Sequence, residues 1–360
     1  MRGFRVQRIA TGGLVIGAAV VLLAACGASG NSGTASGVDV ASFSGTINGS
    51  GSTFQLTFQQ AAIQAFKSVQ PSMTVNYGGG GSGKGRTDLA AGTVNFAGSD
   101  SPIPPDEKSS FKGKTVLYFP VVVGPITVSY NLPGVKNLKL TGPVVADIFQ
   151  GKIKTWNASA IKSINPGVSL PSTSITIARR SDSSGTTANF SQFLVDAAPG
   201  VWKLGTGSTI SWPANSRGGN GNGGVAQIIK STSGAIGYVD YADAKASGLT
   251  FASVKNKAGS YIAPTTASAS AAASHATVAP DLTFSAIWAG GASSYPITYQ
   301  SWDLVYQAQS SKNTANMLRA YIGYLLGDGQ KLLGSLNYAP LPSSIDQKAK
   351  AQLSKIGSSS

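Results

Sequence analysis

The segment Arg180-Ser181-Asp182-Ser183-Ser184-Gly185-Thr186-Thr187 sets an arginine, a carboxylate and a row of small hydroxyls just ahead of an apolar run at Phe190, Phe193 and Leu194. The spacing of that run predicts a helix with Ser184, Gly185 and Thr186 at its N-terminus. There the backbone N–H groups lack helical partners and the macrodipole is positive, which suits a tetrahedral oxyanion. Arg180 adds a planar fork of donors matched to such oxygens. A Ser-rich loop with a capping hydroxyl can carry the same letters, and segments upstream decide between the two.

The first of these, Gly45-Thr46-Ile47-Asn48-Gly49-Ser50-Gly51-Ser52-Thr53-Phe54, reads as a short strand and a Gly/Ser turn. Phe54, Phe58, Ala61, Ala62, Ala65 and Phe66 then recur at helical spacing, so Ser52 or Thr53 is the expected N-cap. Next, Met73 to Tyr77 reads as a strand leading into the loop Gly78-Gly79-Gly80-Gly81-Ser82-Gly83-Lys84-Gly85-Arg86. This nearly matches a nucleotide-binding P-loop, but Gly85 stands where Ser or Thr would hold magnesium. Anion cradling by its N–H groups remains. Finally, Val94 to Ser99 reads as a buried strand ending at Asp100. A carboxylate beside an anion site can accept a hydrogen bond only from a ligand that carries a proton. Phosphate carries one at neutral pH, and sulfate does not. Strand-like and helical runs alternate along the chain, which predicts an α/β fold.

Arg2, Arg5 and Arg8 precede an uncharged run from Ile9 to Ala25, and the chain's single cysteine, Cys26, follows it. A basic start, a short apolar stretch and small residues before a cut site describe a secretory signal over 1–25, too short for a spanning helix. The Leu23-Ala24-Ala25-Cys26 end resembles a bacterial lipobox. That resemblance implies cleavage before Cys26 and a lipid anchor on it, with the globular part held outside the cytoplasm at the cell membrane. Residues 26–43 are Gly/Ser-rich, a flexible tether. One cysteine allows no intramolecular disulfide. The ordered part is expected from near Ser44 to near Lys355, about 310 residues and enough for two domains.

Taken together the motifs resemble the phosphate-binding protein of bacterial high-affinity phosphate ABC transporters. The carriers are Gly49 to Phe54, Val94 to Asp100, Arg180 to Thr186, Gly221-Asn222-Gly223-Gly224-Val225, Gly234 to Ala242 and Tyr338-Ala339-Pro340-Leu341-Pro342. The resemblance implies a two-lobed periplasmic-binding-protein fold of the type II kind. Each lobe would be a mixed sheet flanked by helices, with the cleft between them. Lobe one would hold 44–120 and 265–355, and lobe two 121–264. Thr53, Phe54, Ser82 and Asp100 would bind inorganic phosphate from one side; Arg180, Ser184, Gly185 and Thr186 would bind it from the other. Asp182 would orient Arg180. The implied partners are the transporter's permease subunits, and the receptor is expected to be a monomer without cofactor or metal.

One departure stands out: Lys84 falls among glycines, and Arg86 takes a position the family fills with an aliphatic residue. Lys84 either points to solvent or adds a cation at the cleft mouth, and the second reading keeps a phosphate ester or another oxyanion open as the ligand. The formal net charge is +14, yet the basic residues are scattered, so general anion attraction is expected and nucleic acid is not. An exported phosphatase would need a nucleophile with a base or a metal cluster. The single histidine, His275, lies alone in an Ala/Ser run at 267–276 that reads as plain surface, and the 14 acids are spread along the chain. The five tryptophans read as packing residues.

Overall fold

The protein is described here by a computed structural model covering residues 43–358; the leader, Cys26 and the tether up to residue 42 lie outside the described residues. The N-terminal elements are β1 (Gly45–Gly51), α1 (Leu56–Phe66), β2 (Met73–Gly80), α2 (Ser82–Ala91), β3 (Phe96–Ser99) and β4 (Val116–Tyr130). The middle of the chain supplies β5 (Lys139–Leu140), α3 (Gly142–Phe149), α4 (Ser159–Lys162), β6 (Thr176–Arg180), α5 (Gly185–Ala197), β7 (Arg217–Gly219), α6 (Gly221–Ser231), β8 (Ala235–Asp240) and α7 (Tyr241–Ala246). Then follow β9 (Thr250–Phe251), β10 (Ser253–Lys255), β11 (Tyr261–Ile262), α8 (Thr266–Ala273), β12 (Thr298–Tyr306), β13 (Ala308–Gln309), α9 (Lys312–Leu326), α10 (Ser343–Gln352) and β14 (Gly357–Ser358).

The strand β4 organises the rest. Fourteen of its residues, from Leu117 to Tyr130, are buried, as expected of an apolar run covered on both faces. Its first part pairs antiparallel with β12 as far as Pro125, and from Ile126 it pairs antiparallel with β8. Both prolines mark breaks in the ladder, because proline has no N–H to give. Pro120 sits opposite Trp302 at a register shift, and Pro125 is where the partner changes. Among the described residues the strand order is β2-β1-β3-β12-β4-β8-β6-β7, with β9 also on β4. The halves on either side of β4 are each a mixed sheet flanked by helices, a two-lobed α/β fold.

Five parallel-type strands end at one place. β1 runs into Ser52, β2 into Ser82, β3 into Asp100, β6 delivers Arg180, and β7 leads to Asn222. The carboxyl ends of strands, with helix N-termini behind them, are where open α/β sheets bind ligands.

Some expectations shift. Helix α1 starts at Leu56, beyond the expected caps, because Ser52 Oγ already accepts from the N–H groups of Phe54 (3.1 Å) and Gln55 (3.3 Å) in the turn before it. The Gly-rich segment is less of a loop than its letters suggest: β2 continues to Gly80 and α2 begins at Ser82, with Gly81 at φ 92° making the corner. The Ala/Ser run forms α8 with a Thr265/Ser268 capping box, and it is not plain surface. Ala269, Ala272 and Ala273 are buried, and the helix packs on β4. Trp156, Trp202 and Trp302 are buried in the core, with Trp212 and Trp288 half-buried against it.

Asp303, inside the sheet on β12, accepts from Gln59 Nε2 at 3.1 and 3.2 Å, and Tyr321 holds that Gln59 by its hydroxyl. Burial pushes the Asp303 carboxyl from an ordinary 3.8 up to about 7, against the pull of Gln59 and Gln55. Below pH 4 the group is protonated folded or unfolded and has no effect. Between pH 4 and 7 the unfolded chain releases the proton first, so stability falls as pH rises, by on the order of 4 kcal/mol in all. Asp303→Asn is expected to flatten that slope in urea unfolding. Parallel curves for variant and parent would contradict it.

Candidate functional site

Helix α5 begins at Gly185 with Ser184 as its N-cap, Ser184 Oγ accepting from the Thr187 N–H at 3.1 Å. In the first helical turn the N–H groups of Gly185 and Thr186 have no helical carbonyl to bond. Gly185 is required here. A Cβ on it would lie 2.4 Å from Ser82 Oγ and 2.8 Å from Asp100 Oδ2, so only a bare backbone lets α5 come this close to the other half. A second close approach joins the halves where Gly83 N–H donates to Ser183 O at 3.0 Å.

Arg180 is 3 % exposed. Its Nε donates to Asp182 Oδ1 at 2.8 Å, its Nη2 to Asp182 Oδ2, and its Nη1 to Thr186 Oγ1 at 3.3 Å. A guanidinium has five N–H donors, so two remain, one on each terminal nitrogen, for an anion. Burial opposes the Arg180 charge, but Asp182 more than offsets this and raises its pKa. Burial likewise works against Asp182, and Arg180 with the Gly221 N–H overcomes it and holds the carboxyl below its ordinary value. Behind them the Tyr238 hydroxyl accepts from the Arg180 backbone N–H at 3.1 Å and lies 2.7 Å from Thr187 Oγ1.

Asp100 is 1 % exposed and its two oxygens differ. Oδ1 takes two short bonds, from Ser52 Oγ and Ser301 Oγ at 2.5 Å each. Oδ2 takes only a long one, 3.3 Å from Ser82 Oγ, whose oxygen accepts from the Asp100 N–H at 3.1 Å. Burial raises the Asp100 pKa against these serines and the charge of Arg180. The chemistry follows from the asymmetry: Oδ1 is saturated, and Oδ2 keeps acceptor capacity for an outside O–H.

Three hydroxyls are committed the other way. Thr53 Oγ1 accepts from Asn222 N (3.3 Å) and Nδ2 (3.2 Å); Thr186 Oγ1 accepts from Arg180 and from Asn222 Nδ2 at 3.5 Å. Ser184 Oγ accepts as a cap. With their lone pairs engaged by protein donors, these hydroxyls have their protons left to give. Phe54 stands at the turn before α1: its N–H lies 3.1 Å from Ser52 Oγ, its carbonyl takes the Tyr338 hydroxyl at 2.7 Å, and its ring stacks on Tyr299 at 4.1 Å. The structure thus gathers Thr53, Ser82, Asp100, Arg180, Asp182, Ser184, Gly185 and Thr186. It adds Ser52, Ser301 and Asn222, which had not been assigned to the site. Lys84 lies on α2 with its side chain half exposed, paired to Asp88 at 2.6 Å. Among the described residues no cluster of three or more His, Cys, Asp or Glu is placed to hold a metal.

An enclosed junction of two lobes, lined by donors around one acceptor carboxylate, defines a solute-binding protein. Residues 35–328 match the model of the PBP superfamily domain, and the chain belongs to that superfamily. It is 34% identical over 313 residues to the phosphate-binding protein PstS of Pasteurella multocida, covering 85% of this chain and 89% of that one. It is 33% identical over 364 residues to phosphate-binding protein PstS 3 of Mycobacterium leprae, covering 98% of each. Within the superfamily, then, it belongs to the PstS phosphate-binding proteins. A high-affinity periplasmic phosphate-binding protein (PfluDING), solved with phosphate bound, superposes with a TM-score of 0.69 at 21% identity, over 86% of this chain and 94% of that one. That likeness speaks to the fold.

Proposed function

We propose that the protein binds inorganic phosphate between its lobes outside the cytoplasm and delivers it to the permease of an ABC transporter. The observation that carries this reading is the pairing of Asp100 Oδ2, an acceptor with capacity to spare, with the two remaining donors of Arg180 across the junction. A protonated oxyanion satisfies both. Phosphate is the common one, and the family relationship agrees. Thr53, Phe54, Ser82, Ser184, Gly185 and Thr186 complete the donor set, Phe54 through its backbone N–H.

The same proposal includes the leader at 1–25, a lipid on Cys26 and the tether, for which the sequence pattern is the support. It also includes the lobe division at 44–120 with 265–355 and at 121–264, supported by the exchange of partners along β4. The protein acts as a receptor and not as a hydrolase. Lys84, turned to Asp88, favours the free ion over an ester as ligand.

Equilibrium dialysis of the chain starting after Cys26 should retain one labelled phosphate per molecule. The same preparation should release no chromophore from a nitrophenyl phosphate. Retention without turnover supports a receptor; turnover would make it an enzyme.

Asn222 gives a further test. It reaches from α6 to Thr53 on the other lobe and so acts as a closure latch. Losing that side-chain bond costs about 1 kcal/mol, so Asn222→Ala is expected to release phosphate several-fold faster. An unchanged dissociation rate in stopped flow would contradict the latch. The half-buried Trp212, whose ring lies 5.8 Å from that of Tyr238, offers the signal.

A further inference from the structure

The Arg86 guanidinium is wholly buried, and the phosphate site does not include it. Nε and Nη2 bond Glu107 at 2.6 and 2.8 Å, and Nη1 donates to Ser99 Oγ and Ser101 Oγ, each at 3.2 Å. Those serines flank Asp100. We propose that Arg86 is a positioning residue that fixes the Asp100 carboxylate, and through it the discrimination between protonated and unprotonated oxyanions. This rests on the reading of the site as a phosphate receptor.

The geometry supports more than a buried ion pair. Ser82 and Arg86 are four apart on α2, so they share a face one turn from each other. The first touches Asp100 itself, and the second touches both of its neighbours. β3 is only four residues long and ends at Ser99, so the sheet ladder stops one residue short of Asp100. Beyond that point the chain is held by side chains, with Arg86 gripping before and after the carboxylate. Ser99 Oγ adds a bond to Ser101 O at 2.6 Å, closing the turn. A lysine could not do this. The planar fork spends two donors on Glu107, which aims the third at the serines. Glu107 also keeps the buried charge paired, without which it could not stay there.

Two variants separate positioning from plain stability. Arg86→Leu with Glu107→Leu removes both charges together, so neither is left unpaired. Ser99→Ala with Ser101→Ala keeps the ion pair and removes the grip, together with the Ser99 Oγ bond to Ser101 O. Both are expected to raise the phosphate Kd about tenfold and to lower the phosphate-to-sulfate affinity ratio about tenfold, measured by calorimetry. In the anion-free protein, the Asp100 amide should exchange its hydrogen at least tenfold faster, because its bond to Ser82 loosens. The exchange measurement needs no ligand, so it tests the positioning role even if wild type binds no phosphate, an outcome that would overturn the functional reading alone. Serine variants with parental exchange and parental anion ratio would overturn the proposal and leave Arg86 a structural ion pair.

Discussion

Asp100→Asn is expected to bring the phosphate and sulfate affinities to within about tenfold of each other, from a wild-type gap of about a hundredfold or more. In the parent, Oδ2 can only accept, so a ligand oxygen facing it must bring a proton. Sulfate has none and would set a lone pair against a buried carboxylate. An asparagine keeps the carbonyl that Ser52 and Ser301 hold at 2.5 Å and puts N–H donors where Oδ2 was. The rule is thereby reversed: sulfate finds a donor, while phosphate turns a bare oxygen toward it and keeps most of its other bonds. Sulfate should gain more than phosphate changes. Calorimetry with each anion reads the ratio directly, and a ratio unchanged from wild type would place the discrimination elsewhere.

Arg180→Ala should abolish useful binding. Removing one partner of a buried, hydrogen-bonded charge pair between protein and ligand costs about 2–5 kcal/mol of binding, a loss of about thirtyfold to several-thousandfold in affinity. Here the damage is compounded. Asp182 loses its charged partner and keeps backbone N–H donors, among them Gly221 at 3.1 Å, so two carboxylates would face the anion with no full positive charge between them. Arg180→Lys should recover part of the loss, because it restores charge without the fork. Circular dichroism must show both variants folded. Tight phosphate binding by the alanine variant would mean that the anion sits away from Arg180.

Much of this site was legible in the sequence, for a physical reason. A helix N-terminus that receives an anion needs small, polar residues followed at once by an apolar period, and that change of pattern is local. Ser184, Gly185 and Thr186 could be placed from it, as could the turn before α1 and the segment before α2. Asn222 carried the same signal, a Gly-Asn-Gly run ahead of Val225, Ala226 and Ile229, and served only as a family marker. Ser301 carried no signal. It lies within a buried central strand, and only the register of β12 against β3 and β4 brings its hydroxyl to Asp100. Arg86 reads only as a basic residue in an aliphatic position, because its partner, Glu107, is 21 residues away, beyond any local pattern. The start of α1 was misplaced because the usual capping residue, Ser52, also serves Asp100 and holds the chain in a turn first.

The most direct test is a calorimetric titration of the chain starting after Cys26, first with phosphate and then with sulfate, near pH 7. The expected result is tight binding of one phosphate per molecule with no measurable heat from sulfate. Equal affinity for the two anions, or no binding of phosphate, would contradict an account in which Asp100 Oδ2 takes the ligand's proton while Arg180 holds its charge.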